Sequence, residues 1–235
     1  MKTSMLNKRG FTIIEITIVM AFVSVLVLAV VLATVYTGKM YAKGVTLKSL
    51  NQVGRDVSDA MRRDMTDANP KRVMYVATGT APLQTGRLCL GSVSYVWNTA
   101  DLMLSASTNP RFKKADGNEA HLVRVVDPSS RYCVDTGSGY PMEIATTESA
   151  TEYLIGNSSD LAVYRFSLTP IYRSGDDTVA QGLFRIGLTI GTNEAGTTDM
   201  TDGTVTCKAP SDNAANFDFC SVRDFDFVMR AGGGK

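Results

Sequence analysis

Lys8-Arg9-Gly10-Phe11-Thr12-Ile13-Ile14-Glu15 leads straight into Ile16–Tyr36, 21 residues without a Lys, Arg, Asp, Glu or His. Branched apolar residues dominate the run (Ile18, Val19, Val23, Val25, Leu26, Val27, Leu28, Val30, Val31, Leu32), and only Thr17, Ser24 and Thr34 interrupt it. As an α-helix it would cover roughly 31 Å, about the hydrocarbon core of a bilayer. Helical hydroxyls can bond back to their own backbone, so the three interruptions are tolerable there. Lys2, Lys8 and Arg9 precede the run, with no Asp or Glu among them. That basic flank places residues 1–10 in the cytoplasm and the bulk of the chain on the other side. Glu15 is the anomaly, because a charge inside hydrocarbon is costly and marks function by default.

An ordinary secretory signal peptide has a shorter apolar core followed by a small-x-small cut site. Tyr36-Thr37-Gly38-Lys39 is a poor one. A plain signal anchor accounts for the length and the flanking charges but not for Glu15. Gly10-Phe11-Thr12-Ile13-Ile14-Glu15 resembles the cleavage motif of type IV prepilins and of the related type II secretion pseudopilins. The likeness covers the first 30 to 40 residues: basic Lys8 and Arg9 before the cut, Gly10 at it, Phe11 after it, and Glu15 four residues further on.

The resemblance implies a prepilin peptidase that cuts after Gly10 on the cytoplasmic side and a methyltransferase activity that N-methylates Phe11. It also implies other pilin subunits in a helical filament and an inner-membrane assembly platform as partners. The chain would sit first in the cytoplasmic membrane, with its C-terminus outside, and later in a pilus at the cell surface. A free α-amino group on Phe11 would have a pKa near 8 and be mostly protonated at pH 7. In lipid that charge and the Glu15 carboxylate are each unfavourable alone and tolerable as a pair. Family precedent pairs Glu15 of one subunit with the Phe11 amine of a neighbour, fixing register as one buried polar residue does in a coiled coil. Glycine at the cut leaves the backbone accessible to a peptidase.

Composition fits a foldable protein: 235 residues, 44% hydrophobic and 20% charged. Without residues 1–10 the balance is 21 basic against 23 acidic groups. No basic field argues for nucleic acid. Cys89, Cys133, Cys207 and Cys220 all follow the apolar run, none in a CxxC pair, and His121 is the only histidine. Zinc-type spacing is therefore absent, and neither a metal nor a cofactor is expected. An even number of cysteines on the outer side suggests two disulfides, with three pairings open. Cys89–Cys133 and Cys207–Cys220 close the shorter loops and are favoured.

Beyond the run, Leu47, Leu50, Val53, Val57, Met61, Met65 and Ala68 recur at spacings of three and four, an amphipathic helical stripe. Asp59 and Arg63, four apart, support a helix. Asn69-Pro70 ends the pattern, while Gly38, Gly44 and Gly54 weaken its middle. Many members of the resembling family carry a proline inside the apolar run; here none occurs before Pro70.

Residues 71–235 read as mostly β. Strands are expected over Val73–Ala77, Leu88–Trp97, His121–Val126 and Leu161–Leu168, with Pro170 at a strand end or edge. Phe184, Ile186, Leu188 and Ile190 would share one face of a strand, and Phe225, Phe227 and Met229 one face of another. Ser105–Glu119, Thr136–Ser149 and Gly191–Asn216 are polar and read as loops. A Cys207–Cys220 bridge would tie down the last, contributing about 3 kcal/mol in the chain-entropy model.

The expected fold class is α+β. A leader (1–10) is followed by a transmembrane assembly helix (11–38) and an amphipathic half (39–68). These carry an antiparallel β head (69–235), the layout the pilin resemblance implies, with a disulfide-bounded C-terminal loop.

Short motifs that tempt towards chemistry fare poorly. Asp135-Thr136-Gly137-Ser138 matches the aspartic-protease signature, but that chemistry needs two such carboxylates and the chain has one copy. His121 alone makes no triad, and no G-x-S-x-G elbow is present. Asp176, Asp177, Asp199 and Asp202 match no defined Ca²⁺ loop. Asn157-Ser158-Ser159 fits a glycosylation acceptor, and Arg111, Phe112, Lys113 and Lys114 form a small basic-aromatic cluster. The chain is therefore expected to be no enzyme but a pilin-like subunit. A head of more than 160 residues favours a minor pilin. The alternatives are a minor pseudopilin of type II secretion and a signal-anchored extracytoplasmic binding protein that does not polymerise.

Overall fold

The computed structural model describes residues 11–144, 151–156, 161–173, 182–194, 196–201, 203–209 and 220–232. One helix, α1 (Ile13–Asp67), takes up both the apolar run and the stripe behind it. By compactness the chain divides into two units, Met1–Ala42 and Lys43–Lys235.

In the first unit every described residue from Phe11 to Tyr41 is exposed. The hydroxyls are satisfied within the helix. Thr17 donates to Ile14 O (2.9 Å), Ser24 to Met20 O (2.7 Å), Thr34 to Val30 O (2.8 Å) and Thr37 to Ala33 O (2.8 Å). None of them needs water or a neighbour. An 18-residue window of this helix has a mean hydropathy of 3.0, and the helix is long and apolar enough to cross a membrane.

The second unit begins inside α1. Leu50, Gly54, Val57, Ala60, Met61 and Met65 are buried on one helical face, with Leu47 and Val53 half-buried beside them. The helix stops at Asp67. Asn69 Oδ1 then accepts from Lys71 N (2.9 Å), and Pro70 opens a single 3₁₀ turn, Pro70–Arg72. An antiparallel sheet follows, built in sequence order from β1 (Met74–Thr80), β2 (Leu83–Cys89), β3 (Val93–Asn98), β4 (Leu122–Val126) and β5 (Thr151–Ile155). The short helix α2 (Ala100–Leu104) lies between β3 and β4 in the chain.

Next come β6 (Leu161–Arg173) and β7 (Gly182–Thr192), the hairpin β8 (Thr198–Thr201) and β9 (Thr204–Cys207), and finally β10 (Val222–Ala231). Strands β10, β7 and β6, in that order, make a second antiparallel sheet. The fold class is α+β as expected, with the stripe of α1 as the cover for both sheets. Leu50, Val57, Met61 and Met65 share one core with Leu88, Tyr95, Trp97 and Leu122 of the first sheet and Phe184, Ile186, Leu188, Ile190 and Met229 of the second. Trp97 sits within it, its ring 4.4 Å from that of Phe166 and 6.2 Å from that of Tyr75.

Several sequence expectations are corrected. Leu88–Trp97 is predicted as one strand but is two, β2 and β3, turned at Leu90–Ser92 with Gly91 at φ 95°. The segment hides its turn because both faces of β3 are buried. Its other face joins a second core of Cys89, Val96, Phe112, Val123, Val125, Tyr132 and Ile144, so no polar alternation appears. Gly191–Asn216 is predicted as loop, yet it holds the β8–β9 hairpin and the end of β7. Asp202-Gly203 lies between the paired Thr201 and Thr204, a strong two-residue turn signal, with Gly203 at φ 74°. Asp199 is in β8 and not in a loop. Strand β6 runs past Pro170 to Arg173, with its register shifting between Pro170 and Tyr172. As an edge strand it tolerates the missing N–H. The glycines do not break α1, and β5 and α2 are additions.

A polar contact fastens α1 to the first sheet. Arg124 Nε and Nη2 donate to the two oxygens of Asp64 (2.7 and 2.8 Å), and the Tyr95 hydroxyl donates to the same carboxylate. Glu152 lies 3.7 Å from Arg124 on the outer side. Burial first, and then the neighbouring Asp64, push the Tyr95 phenol well above its ordinary pKa; the hydrogen bond to Asp64 raises that of Arg124. Asp64→Asn removes the charge that both donors serve. Because Asp64 and Arg124 retain some exposure, the expected loss is about 1–3 kcal/mol. Thermal unfolding of the full chain in mild detergent measures it, and pairing the change with Arg124→Met should recover part of the loss.

Candidate functional site

Of the motif residues, Lys8, Arg9 and Gly10 lie outside the described residues; Phe11, Thr12 and Glu15 can be placed. Phe11 is 78% exposed and precedes the helix. Thr12 Oγ1 accepts a hydrogen bond from Glu15 N (3.2 Å), and Thr12 O accepts one from Ile16 N (3.2 Å). Thr12 is therefore the N-cap, and α1 starts at Ile13. Glu15 stands in the first turn, where the exposed N–H groups favour a carboxylate. The spacing Thr12-x-x-Glu15 is that of a capping box. Sequence reasoning passed over Thr12, although that spacing was the signal. The peptide unit after Phe11 is non-helical while everything from Ile13 onward is helical, so the helix leaves Phe11 outside its hydrogen-bond ladder. A charged amine at Phe11 would stand about one helical turn from the Glu15 carboxylate of the same chain.

The cysteines pair as Cys89–Cys133 and Cys207–Cys220, with Cα–Cα distances of 6.2 and 5.8 Å. The first bridge ties the 3₁₀ turn Arg131–Cys133 to the end of β2. The second joins the end of β9 to the residue just ahead of Ser221 and β10. Two disulfides indicate an extracytoplasmic, oxidising setting for the second unit.

Other residues singled out by sequence have ordinary structural roles. Asp135 Oδ1 accepts from Gly137 N (2.8 Å) and Gly139 N (3.2 Å), so the protease-like tetrapeptide is a tight exposed turn. His121, 8% exposed, donates through Nδ1 to Leu161 O (2.7 Å), joining the start of β4 to that of β6. The basic-aromatic cluster does not form a surface: Phe112 is fully buried, and Arg111 is bound to Glu119 and to Ser105 O and Ser107 O. Asn157–Ser159, Asp176, Asp177 and Asp202 lie outside the described residues. Among the described residues no group of three or more His, Cys, Asp or Glu is placed to hold a metal ion.

Arg87 is a buried residue that sequence reasoning missed, because nothing local marks it. It lies in β2, is fully buried, and has no carboxylate partner among the described residues. Its guanidinium lies over the ring of Tyr140 (4.4 Å) and near that of Phe112 (5.1 Å), and donates to Tyr132 O (3.3 Å) and Thr78 Oγ1 (3.1 Å). Burial lowers its pKa to about 10, so it stays charged at neutral pH. Two aromatic faces stand in for a counter-ion and hold the disulfide-tethered segment 131–142 against the sheet.

Compared with family models, with curated proteins and with solved structures, the chain matches none. What the structure establishes is an architecture: a long N-terminal apolar helix followed by antiparallel β-sheets and closed by two disulfides. That architecture is pilin-like by shape alone.

Proposed function

We propose that this chain is the precursor of a type IV pilin-like subunit, of minor-pilin type, cut after Gly10 and assembled into a filament through α1. One observation carries the reading. The diagnostic run Lys8-Arg9-Gly10-Phe11 ends where a 55-residue helix begins, and that helix holds Glu15 in its first turn as the sole charge before Lys39. A plain anchor gives no reason for a carboxylate there.

The steps follow from the residues. Residues 1–10 stay in the cytoplasm, where a prepilin peptidase reaches the Gly10–Phe11 bond. Cleavage creates an amine at Phe11, a cation next to an apolar helix. On assembly the amine of one subunit meets Glu15 of its neighbour, neutralising both charges, while the exposed apolar faces of residues 13–35 pack without directional preference. The disulfide-closed β unit is carried outside as the subunit's exposed part. Its role is structural and not catalytic.

The reading is tested by co-expressing the chain with a prepilin peptidase. The wild type should lose its first ten residues, whereas Gly10→Val should accumulate uncut. Equal processing of the two would refute it. Loss of surface fibres on deletion of the gene would place the subunit in a pilus; loss of protein export would place it in a type II secretion pseudopilus.

A further inference from the structure

Three glycines interrupt an otherwise helix-favouring sequence in α1, and they differ in kind. Gly54 is buried, and a Cβ there would lie 2.1 Å from Phe225 Cζ, so glycine makes room for that ring. Gly38 and Gly44 are exposed, and a Cβ on either would meet nothing within 4 Å. Neither adopts a positive φ. Alanine would fit both positions and favour the helix. Glycine in a helix interior is unfavourable because the unfolded backbone has more freedom to lose.

Two such residues within seven, with no packing gained in return, make this the weakest interior stretch of α1. Its position agrees. The apolar run ends at Tyr36, and the first fully buried residue of the helix is Leu50. The core therefore takes firm hold of α1 only beyond the segment.

We propose that Gly38–Gly44 is a built-in point of local unwinding, where α1 opens while Ile13–Thr37 and Leu50–Asp67 remain helical. Opening there frees about two turns of backbone hydrogen bonds to water and breaks none of the core contacts made by Leu50, Val57, Met61 and Met65. The helix can thus bend at one defined place without loosening the β unit. This conclusion does not depend on the chain entering a filament.

Amide hydrogen exchange of the full-length chain in detergent micelles tests it. Amides of residues 39–46 should exchange faster than those of Val57–Met65. The double variant Gly38→Ala, Gly44→Ala should slow them roughly tenfold and leave Val57–Met65 unchanged. Because neither new methyl meets a neighbour, the variant should fold, with helix content by circular dichroism equal to or above the wild type. Wild-type protection at 39–46 equal to that at Val57–Met65 would overturn the proposal. So would a double variant whose exchange is unchanged.

Discussion

A Gly86→Ala variant should be among the most destabilised single substitutions in the chain, losing about 3 kcal/mol or more. Gly86 in β2 pairs directly with Trp97 in β3. The indole lies across the glycine, so an added Cβ would come within 2.1 Å of Trp97 Cζ2 and 2.3 Å of Cε2. A neighbour at that distance must move, and Trp97 has nowhere to go. It is 2% exposed, packed against Phe166 and Tyr75, and part of the core that α1 and both sheets share. Interiors packed to crystal density relax little. The contrast with Gly44→Ala is the control, since that methyl meets nothing and should cost no stability. Thermal unfolding of both variants in mild detergent decides the matter; a melting point for Gly86→Ala within error of the wild type would show that Trp97 is not held as described.

Glu15→Val should leave processing intact and cut filament incorporation at least tenfold. The substitution removes a charge from an exposed first turn, so α1 loses no packing. Valine suits lipid better than glutamate, and insertion should proceed. The loss falls on assembly alone. A protonated amine at Phe11 of the neighbouring subunit would be left without a counter-charge in an apolar bundle, at several kcal/mol by general experience with buried charges. Thr12 gives a way to separate this from helix capping. Thr12→Ala removes the hydroxyl that receives Glu15 N, should cost about 1 kcal/mol of local helix stability, and leaves the carboxylate in place. Incorporation measured in sheared filaments should therefore fall far more for Glu15→Val than for Thr12→Ala. Equal incorporation of Glu15→Val and wild type would count against charge pairing.

Much of the fold is legible because its signals are local and periodic. The apolar run declares itself by length, and the stripe from Leu50 to Met65 by its spacing of three and four. Strand β7 shows a clean inner face in Phe184, Ile186, Leu188 and Ile190 because much of its opposite face meets solvent. Strand β3 shows none, since helix and sheet core lie on one side of it and the Phe112–Tyr132 cluster on the other. The β8–β9 hairpin was hidden by composition. Its strands are four residues each and rich in Thr and Asp, so only Asp202-Gly203 betrays them. Gly54 illustrates a further limit. Propensity marks it as a weakness, whereas its meaning lies in Phe225, more than 170 positions away.

The candidate site divides along the same line. The cleavage motif is contiguous and depends on no tertiary contact, so a reading of residues 8–15 captures all its parts except the capping role of Thr12. The contacts of Arg87 and Asp64 join elements far apart in the chain. No spacing rule announces that Arg124 will reach Asp64, or that Tyr140 will cover Arg87.

The central claim is that Gly10–Phe11 is a processing bond whose cleavage creates the counter-charge for Glu15. Intact-mass and N-terminal determination of the chain recovered from membranes of cells that contain a prepilin peptidase tests it most directly. The account requires a chain beginning at Phe11 and carrying an N-methyl group; a chain still beginning at Met1 under those conditions would contradict it.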